Sequence, residues 1–443
     1  MDAAPSSPAA RVPARTAPTP EVRTRLVWLL DRDGRRSEDP VLSPYVQDVG
    51  AEQLRELYRS MALARRFDEE ATHLQRQGEL VLWAPMRGQE AAQVGSARAL
   101  RPADHVFPTY REHAVAIERG VEPAELLAVF RGHSAGGWKP SEHHMNVFSI
   151  VLGCQVPHAV GYAMGIDLDR RAAEAEGREA EPAAAVVYFG DGTSTQGEVH
   201  EGMVFAASYD APVVFFVQNN QWAISVPFST QSRVPLAERA AGYGFEGIRV
   251  DGNDVLAVLA ASRYALEKAR TGQGPVLVEA ETYRLGAHTT ADDPTKYRLR
   301  EDESRWSELD PLLRLEAHLR EAHGTGDEFF ADVAADAQAF AEQARTLVLA
   351  MEPPVLEDFF DRPYAERHPL VEEERAWYAA YQAGFADTDD TGTGNDGTAR
   401  STPDSTDGAG ADRGTQASGL TVAADPVTGV PDPRTAGTQE DLA

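Results

Sequence analysis

The sequence predicts an α/β protein with a mostly parallel sheet, helices on both faces of the sheet, and a helical C-terminal part. The first observation is a pair of short apolar runs, residues 184–189 and 213–217, whose β-branched content is typical of buried parallel strands. The second is the segment between them, residues 197–209, which has helical periodicity. The third is that the same strand–helix–strand order recurs further along, at residues 247–250, 253–270 and 276–279.

Upstream of these strands, the apolar pattern predicts helices. In residues 51–77 the apolar side chains recur at helical spacing, which indicates a face packed in a core rather than a cofactor site; these are Leu54, Leu57, Met61, Ala64 and Phe67. Shorter helices are predicted at 89–99, 112–119, 123–131 and 155–167.

The remaining segments are predicted to be connections and tails. Residues 21–47 are expected to form an extended lead-in anchored by Trp28 and Tyr45, and the charged residues 170–182 an exposed connection. Beyond Pro311 the chain is predicted to be helical to about Phe385. The composition therefore indicates three parts: a disordered tail, one folded domain, and a disordered acidic low-complexity tail, at residues 1–20, 21–385 and 386–443.

Charge and composition exclude several classes of protein. The formal net charge of −28 argues against nucleic acid as a partner, because neutralising phosphates requires basic patches. No apolar run approaches the ~18 residues that indicate a membrane span, so no membrane partner is expected. The single cysteine, Cys154, lies in an apolar stretch and is interpreted as a small core residue. A cytoplasmic location is expected, since the N-terminus lacks a secretory hydrophobic segment.

Two polar signals follow the predicted strands 184–189 and 213–217. The first is Gly190-Asp191-Gly192, and the second is Asn219-Asn220, with Asp191 and Asn220 separated by 29 residues. That length allows one strand–helix–strand unit, which brings two strand ends together at one edge of a parallel sheet. Carboxylate, amide and carbonyl oxygens are the ligands that Mg²⁺ prefers. The pair therefore predicts a seat for a magnesium diphosphate, with the Trp222 carbonyl as a third ligand; the alternative is two unrelated turns.

These motifs resemble the thiamine-diphosphate fingerprint, and the surrounding sequence narrows the resemblance. The segments FPTYREH, GCQVPHAVGYAMG, GIRVDGNDVLAV and TYRLGAHTTADDPTKYR look like those of the alpha subunit of two-chain 2-oxo acid dehydrogenases; they occupy residues 107–113, 153–165, 247–258 and 282–298. The likeness runs from about residue 48 to about residue 385. It implies the thiamine-diphosphate-binding fold, with thiamine diphosphate and magnesium as cofactors.

The resemblance also assigns roles to individual residues. Tyr110 and Arg111 match a pair that reaches the diphosphate, a task suited to the planar donors of arginine. Backbone groups of Ile150 and Leu152 would hold the aminopyrimidine ring. His288 is the predicted catalytic side chain, and Arg284 would pair with phosphate or with an acid of the same loop. The full set of predicted cofactor-binding residues is Tyr110, Arg111, Ile150, Leu152, Gly190, Asp191, Gly192, Thr193, Asn220, Arg284 and His288, with Asp191, Asn220 and Trp222 as metal ligands.

This chain departs from the family pattern at two positions. Gln218 stands where some branched-chain relatives have an arginine, which removes one expected phosphate contact. Ala287 precedes His288 where some relatives have a second histidine. The threonines Thr289 and Thr290 lie in a loop that kinases modify in some relatives, but here they are interpreted as parts of a polar, flexible loop.

The partners and the substrate follow from the same resemblance. It places a required glutamate on a beta subunit, which implies an α2β2 heterotetramer that passes its acyl group to the lipoyl group of a dihydrolipoyl transacylase. Pyruvate is the first expected substrate, because the stretch GQEAAQVGSARAL at 88–100 and the single histidine of GAHTT resemble the bacterial pyruvate type. Branched-chain 2-oxo acids are the second and acetoin cleavage the third. A non-catalytic scaffold that keeps the cofactor seat is the alternative from another class.

Overall fold

The computed structural model describes residues 22–133, 137–352, 358–361 and 363–389. The predicted tail at 1–20 lies outside these ranges, as does the predicted tail at 386–443 apart from the end of one helix. The chain divides into two units at Val371, and the described part of the second unit is the remainder of that helix, which ends at Asp389. None of the helices in the described ranges has the length and apolar character that crossing a bilayer requires.

The first unit is built on a six-stranded sheet in which all neighbouring strands are parallel. The strand order is β1–β7–β8–β4–β3–β2, and a separate antiparallel pair is formed by β5 and β6. The strands are β1 (Val22–Val27), β2 (His105–Phe107), β3 (Ala185–Gly190), β4 (Val213–Asn219), β5 (Trp222–Ala223), β6 (Val226–Pro227), β7 (Glu246–Asp251) and β8 (Val276–Glu281).

Helices connect and cover these strands. In chain order they are α1 (Ala51–Arg76), α2 (Glu90–Ala97), α3 (His113–Glu118), α4 (Pro123–Arg131), α5 (Pro140–His143), α6 (Gln155–Ala175), α7 (Gly197–Tyr209), α8 (Phe228–Gln231), α9 (Arg239–Tyr243), α10 (Val255–Arg270), α11 (Arg300–Ser307), α12 (Pro311–His323), α13 (Asp327–Leu349), α14 (Asp358–Asp361) and α15 (Pro369–Asp389). The predicted helix 253–270 begins two residues later than expected, because the buried Asp254 is its N-cap and accepts from the N–H groups of Leu256 and Ala257.

The central strands bury both of their faces, which explains why they are continuously apolar. In β3, Val186 and Tyr188 belong to the core shared with α1, α2 and α10. The alternate residues Val187 and Phe189 belong to a second core on the opposite face, shared with α6, α7 and α9. The predicted α/β class, with a parallel sheet covered on both faces, is therefore confirmed.

Several details differ from the sequence-based expectation. The lead-in 21–47 contains the edge strand β1. This strand is stabilised by hydrogen bonds to β7, and its polar sequence does not predict a strand. Trp28 is 38% exposed and is no anchor, whereas Tyr45 is half-buried with its ring edge-to-face on Tyr264. Helix α6 continues into the expected connection at 170–182, because Arg170 pairs with Asp167 and Glu174 one turn away on either side. Several short elements were not anticipated, namely strands β2, β5 and β6 and helices α5, α8, α9 and α11.

Candidate active site

Asp191 and Asn220 lie at the same edge of the sheet. Strands β3 and β4 are parallel and adjacent, with Gly190 opposite Gln218, so both strands end side by side. Helix α7 connects the two strands and lies between Asp191 and Asn220 in the sequence, as their 29-residue separation predicts. Both side chains are buried, and both line a cleft of about 410 Å³ beyond the carboxyl ends of the strands.

Asp191 carries an unpaired oxygen into this cleft. Its Oδ2 accepts a hydrogen bond of 2.9 Å from Nε2 of Gln231, whereas its Oδ1 is buried and has no partner among the described residues. Burial raises the pKa of the carboxyl to about 6, although the amide of Gln231 and the N–H groups of Asp191 and Asn220 lower it. A buried carboxylate oxygen without a donor is costly, so this atom is suited to a cation.

Asn220 and Trp222 complete the oxygen-rich side of the cleft. Asn220 Nδ2 donates to Oε1 of Gln89 at 3.1 Å, which turns the Asn220 amide oxygen toward the N–H of Trp222 at 3.2 Å. Both residues line the cleft together with Asp191. Within the described residues there is no cluster of three or more His, Cys, Asp or Glu that could hold a metal. A cation here would therefore depend on one carboxylate, with amide and carbonyl oxygens around it.

The turn after β3 requires its second glycine. A Cβ at Gly192 would lie 2.7 Å from Cβ of Ala223 in β5, so a side chain there would displace the β5–β6 hairpin. Thr193 is buried and begins a 3₁₀ turn, and the hydroxyl of Ser194 donates to the carbonyl oxygen of Asp191 at 2.6 Å. Gly190, Gly192 and Thr193 all line the cleft, so their main chain can approach a ligand closely.

Arg111 and His288 meet on another wall of the cleft. Arg111 is buried; its Nη1 donates to the carbonyl oxygen of Pro85, and its Nη2 donates to the His288 carbonyl at 2.9 Å and contacts Nδ1 at 3.2 Å. The ring of Tyr110 stands edge-on to the His288 ring, 6.1 Å between centroids. All three residues line the cleft. The structure thus brings the predicted diphosphate pair and the predicted catalytic histidine together.

The protonation state of His288 follows from these contacts. Burial lowers its pKa to about 4, with further lowering by the positive charges of Arg111 and Arg284, against a smaller opposing effect from Asp292. Since arginine can only donate, Nδ1 of His288 must accept, which leaves the proton of the neutral ring on Nε2. The His288 N–H donates to Oδ2 of Asp292 at 2.8 Å, which fixes the main chain of the loop.

We expect His288 to titrate near pH 4. Because its folded pKa lies below the ordinary value of 6.5, the stability that the neutral ring confers is fully present above pH 6.5 and is lost as the pH falls toward 4. The imidazole NMR resonance of His288 is the one present in the wild type and missing from His288→Gln. The free energy of unfolding of the variant, relative to that of the wild type, should rise as the pH falls from 6.5 to 4. An imidazole signal that is missing from the variant and titrates near 6.5 would contradict the assignment.

Two of the predicted cofactor-binding residues, Ile150 and Arg284, do not line the cleft. The roles assigned to all of the predicted residues stay predictions. Arg284 is fully buried and donates to the Ile224 carbonyl at 2.7 Å and the Tyr297 hydroxyl at 2.8 Å, so it braces the loop beside the cleft. Burial lowers its pKa to about 10. Leu152 lines the cleft, but Ile150 is 68% exposed and lies outside its wall.

Sequence reasoning missed three polar side chains of the cleft, Gln89, Gln231 and Glu112. Gln89 and Gln231 hold Asn220 and Asp191, respectively. Glu112 is buried between the N–H of Thr109 and Nε2 of Gln218, at 2.6 Å from the latter, and burial raises its pKa. Gln89 belongs to the GQEAA stretch, which was a usable signal, whereas Gln231 follows a hairpin and gave none.

Comparison with known proteins now identifies the family. The profile described as "Dehydrogenase E1 component" matches residues 58–348. The chain belongs to this dehydrogenase E1 component family.

Several similar proteins are named as alpha subunits. The 3-methyl-2-oxobutanoate dehydrogenase subunit alpha of Mycobacterium tuberculosis is 44% identical over 332 residues, 75% of this chain and 88% of the relative. The pyruvate dehydrogenase E1 component subunit alpha of Bacillus subtilis is 39% identical over 67% of this chain and 78% of the relative. The corresponding subunit of Staphylococcus aureus is 39% identical over 66% and 76%. The predicted family, the alpha subunit of a 2-oxo acid dehydrogenase E1 component, is confirmed.

The E1 component family depends on thiamine diphosphate, and the cleft of this chain fits that cofactor and a magnesium ion. The unpaired Oδ1 of Asp191 and the oxygens of Asn220 and Trp222 form an oxygen donor set suited to a hard cation. The main chain of Gly190, Gly192 and Thr193 lines the cleft, where it can contact a ligand. Arg111 supplies positive charge on the same cleft, where a diphosphate would require it.

Proposed function

We propose that this chain is the alpha subunit of a thiamine-diphosphate- and magnesium-dependent 2-oxo acid dehydrogenase that acts with a beta subunit in an α2β2 heterotetramer. The observation that carries the reaction class is the single cleft that gathers Asp191, Asn220, Arg111 and His288. A non-catalytic scaffold would have no need for a neutral, oriented histidine in the same cleft as an unpaired carboxylate oxygen. The acyl acceptor is proposed to be the lipoyl group of a dihydrolipoyl transacylase.

Branched-chain 2-oxo acids are the proposed substrates. Support comes from the greater identity to the mycobacterial 3-methyl-2-oxobutanoate dehydrogenase subunit, 44%, than to the Bacillus pyruvate dehydrogenase subunit, 39%. Pyruvate, our first expectation from the sequence, stays as the second candidate because of the GQEAAQ stretch and the single histidine of GAHTT. We keep the predicted cytoplasmic location and the folded domain at 21–385 as proposals. The tails predicted at 1–20 and 386–443 lie outside the described residues, except for 386–389 at the end of α15.

The chain's own residues would hold and orient the cofactor. Asp191, Asn220 and the Trp222 carbonyl would hold the magnesium ion, and Arg111 with Tyr110 would hold the diphosphate. The main chain around Gly192 and Thr193 would approach the same phosphates. When bound, thiamine diphosphate supplies the electron sink for loss of carbon dioxide from the 2-oxo acid.

His288 would serve as a proton donor and acceptor. Its neutral ring carries a proton on Nε2, because Nδ1 is occupied by Arg111. Such a ring can give that proton to a substrate or lipoyl atom and take it back without first titrating. The two contacts from Arg111 and the one to Asp292 restrict its position, so the ring is preorganised before ligands arrive.

A substrate assay tests the proposal. We expect the chain, co-purified with its beta subunit and supplied with a lipoylated transacylase, to show kcat/KM at least about tenfold higher for 3-methyl-2-oxobutanoate than for pyruvate, since a pocket shaped for a larger apolar group gains that factor per one or two methylenes. A preference for pyruvate would reverse the order of the two candidates. Absence of carbon dioxide release from either acid, in a complex that binds cofactor, would overturn the reaction class.

A further inference from the structure

Residues 83–87, here called the bridging segment, connect two walls of the cleft. The carbonyl oxygen of Pro85 accepts from Nη1 of Arg111. The segment also pairs with residues 285–292, here called the histidine loop because they contain His288: Thr290 N–H donates to the Trp83 carbonyl at 2.9 Å, and Leu285 N–H donates to the Arg87 carbonyl at 3.1 Å. The position of this segment therefore determines the positions of both Arg111 and the histidine loop.

A single buried carboxylate oxygen holds the bridging segment. Oδ1 of Asp68, on helix α1, accepts from Nε1 of Trp83 at 2.8 Å and from the N–H of Met86 at 3.0 Å. The three residues are between 0% and 3% exposed, so both hydrogen bonds are buried. The Trp83 ring is further fixed by stacking on His113, with centroids 4.0 Å apart.

Asp68 does not line the cofactor cleft. It lines a separate cavity of about 550 Å³ on the other side of the histidine loop, which Gly286, Ala287 and Thr290 also line. The loop is thus a thin wall with His288 facing the cofactor cleft and Asp68 beyond its other side. Buried polar groups that hydrogen-bond to the segments lining a site determine how precisely the side chains of that site are positioned.

We propose that Asp68 is a positioning residue, which fixes Arg111 and His288 relative to each other by holding the bridging segment through two hydrogen bonds to one oxygen. Its consequence for catalysis rests on the function proposed above, but its consequence for the loop does not. Burial raises the pKa of Asp68 to about 7, so near neutral pH the carboxyl group is present in both its protonated and its ionised form. Oδ1 can accept both hydrogen bonds in either state, so the hydrogen bonds rather than the charge are what positions the segment.

The loop is tested by hydrogen–deuterium exchange on the full chain, which requires no cofactor. In Asp68→Ala, the amides of residues 285–290 should exchange about 30-fold faster, because two buried hydrogen bonds are lost and each is expected to contribute about fivefold. Asp68→Asn keeps the Oδ1 acceptor in the same place and should exchange as the wild type does. Trp83→Phe removes one of the two donors and should lie between them, which keeps the test open if Asp68→Ala does not fold.

Asp104→Ala is the matched control. Asp104 is equally buried, but it lies at the opposite edge of the sheet, where Oδ1 accepts from the N–H of Ala184 and Nε of Arg270, both at 3.0 Å. This variant should unfold at lower temperature while exchange in residues 285–290 stays as in the wild type. A purely structural role for Asp68 predicts the same behaviour for both alanine variants.

Cofactor binding gives the second readout. Calorimetric titration with magnesium and thiamine diphosphate, in the complex with the beta subunit, should show Kd raised about tenfold in Asp68→Ala, by the loss of ordered Arg111, and unchanged in Asp68→Asn and Asp104→Ala. If the wild type binds no cofactor, the proposed function fails while the exchange result still stands. Unaltered exchange of the loop in both Asp68→Ala and Trp83→Phe would overturn the positioning role, as would equal loss of protection in Asp68→Asn and Asp68→Ala.

Discussion

Asp191→Ala should abolish magnesium-dependent binding of thiamine diphosphate. The carboxylate is the one charged protein group among the ligands proposed for the cation, and its Oδ1 has no other partner in the described part of the chain. Wild-type protein with cofactor at ~100 times Kd should gain about 2.7 kcal/mol in its free energy of unfolding, and the variant should gain none. Thermal unfolding with and without magnesium and cofactor measures this difference, and calorimetric titration measures binding directly.

The cofactor-free state distinguishes this effect from simple destabilisation. Alanine removes a buried oxygen that has no donor among the described residues, but it also removes Oδ2, which accepts from Gln231. The two effects oppose each other, so the unliganded variant should unfold close to the wild-type temperature. Glu201→Gln is the matched control, because it removes one acid from the exposed surface of α7 and should leave the magnesium-dependent gain intact. A variant at Asp191 that still binds the cofactor in a magnesium-dependent way would refute the metal assignment.

His288→Gln should lower turnover of the assembled complex by about 10²- to 10⁴-fold, the range expected when a general acid–base group is lost. Binding of magnesium and thiamine diphosphate should change within about threefold, because the main-chain bond from Arg111 to the His288 carbonyl remains and a single side-chain hydrogen bond contributes little net free energy. Steady-state kinetics with the preferred 2-oxo acid, together with calorimetric titration, separates the two quantities.

A histidine outside the cleft provides the comparison. His323, at the end of α12, contacts the ring of His318 and forms no part of the cleft wall. His323→Gln should leave both turnover and cofactor binding unchanged. If His288→Gln retained wild-type turnover, the histidine would be a wall residue without a chemical role, and the acid–base assignment would fail.

The sequence was sufficient to predict the core of the fold because buried parallel strands and amphipathic helices have distinct periods. Strands β3, β4, β7 and β8 and helices α1 and α7 all fall where the apolar pattern places them. Strand β1 could not be found in this way, because an edge strand with alternating arginines is stabilised by pairing with β7 rather than by its own composition. The three residues of β2 are too few to show a period.

In the candidate site, too, some residues could be predicted from the sequence and others could not. The 29-residue spacing placed Asp191 and Asn220 at one sheet edge, since the length of a strand–helix–strand unit is a local property. The partners Gln231 and Gln89, and the pair Glu112–Gln218, come from segments far apart in the chain. Such contacts leave no trace in local periodicity.

By itself, the sequence determined the order of the central strands β3, β4, β7 and β8 with helices α7 and α10 between them, the family, and the residues at the strand ends where a ligand would be held. Only the tertiary structure decided that one oxygen of Asp191 lacks a partner, that Arg111 fixes the neutral tautomer of His288, and that Asp68 supports both from behind. The physical reason is that periodicity and spacing are written in neighbouring residues, whereas burial, hydrogen-bond satisfaction and pKa depend on which distant segments pack together.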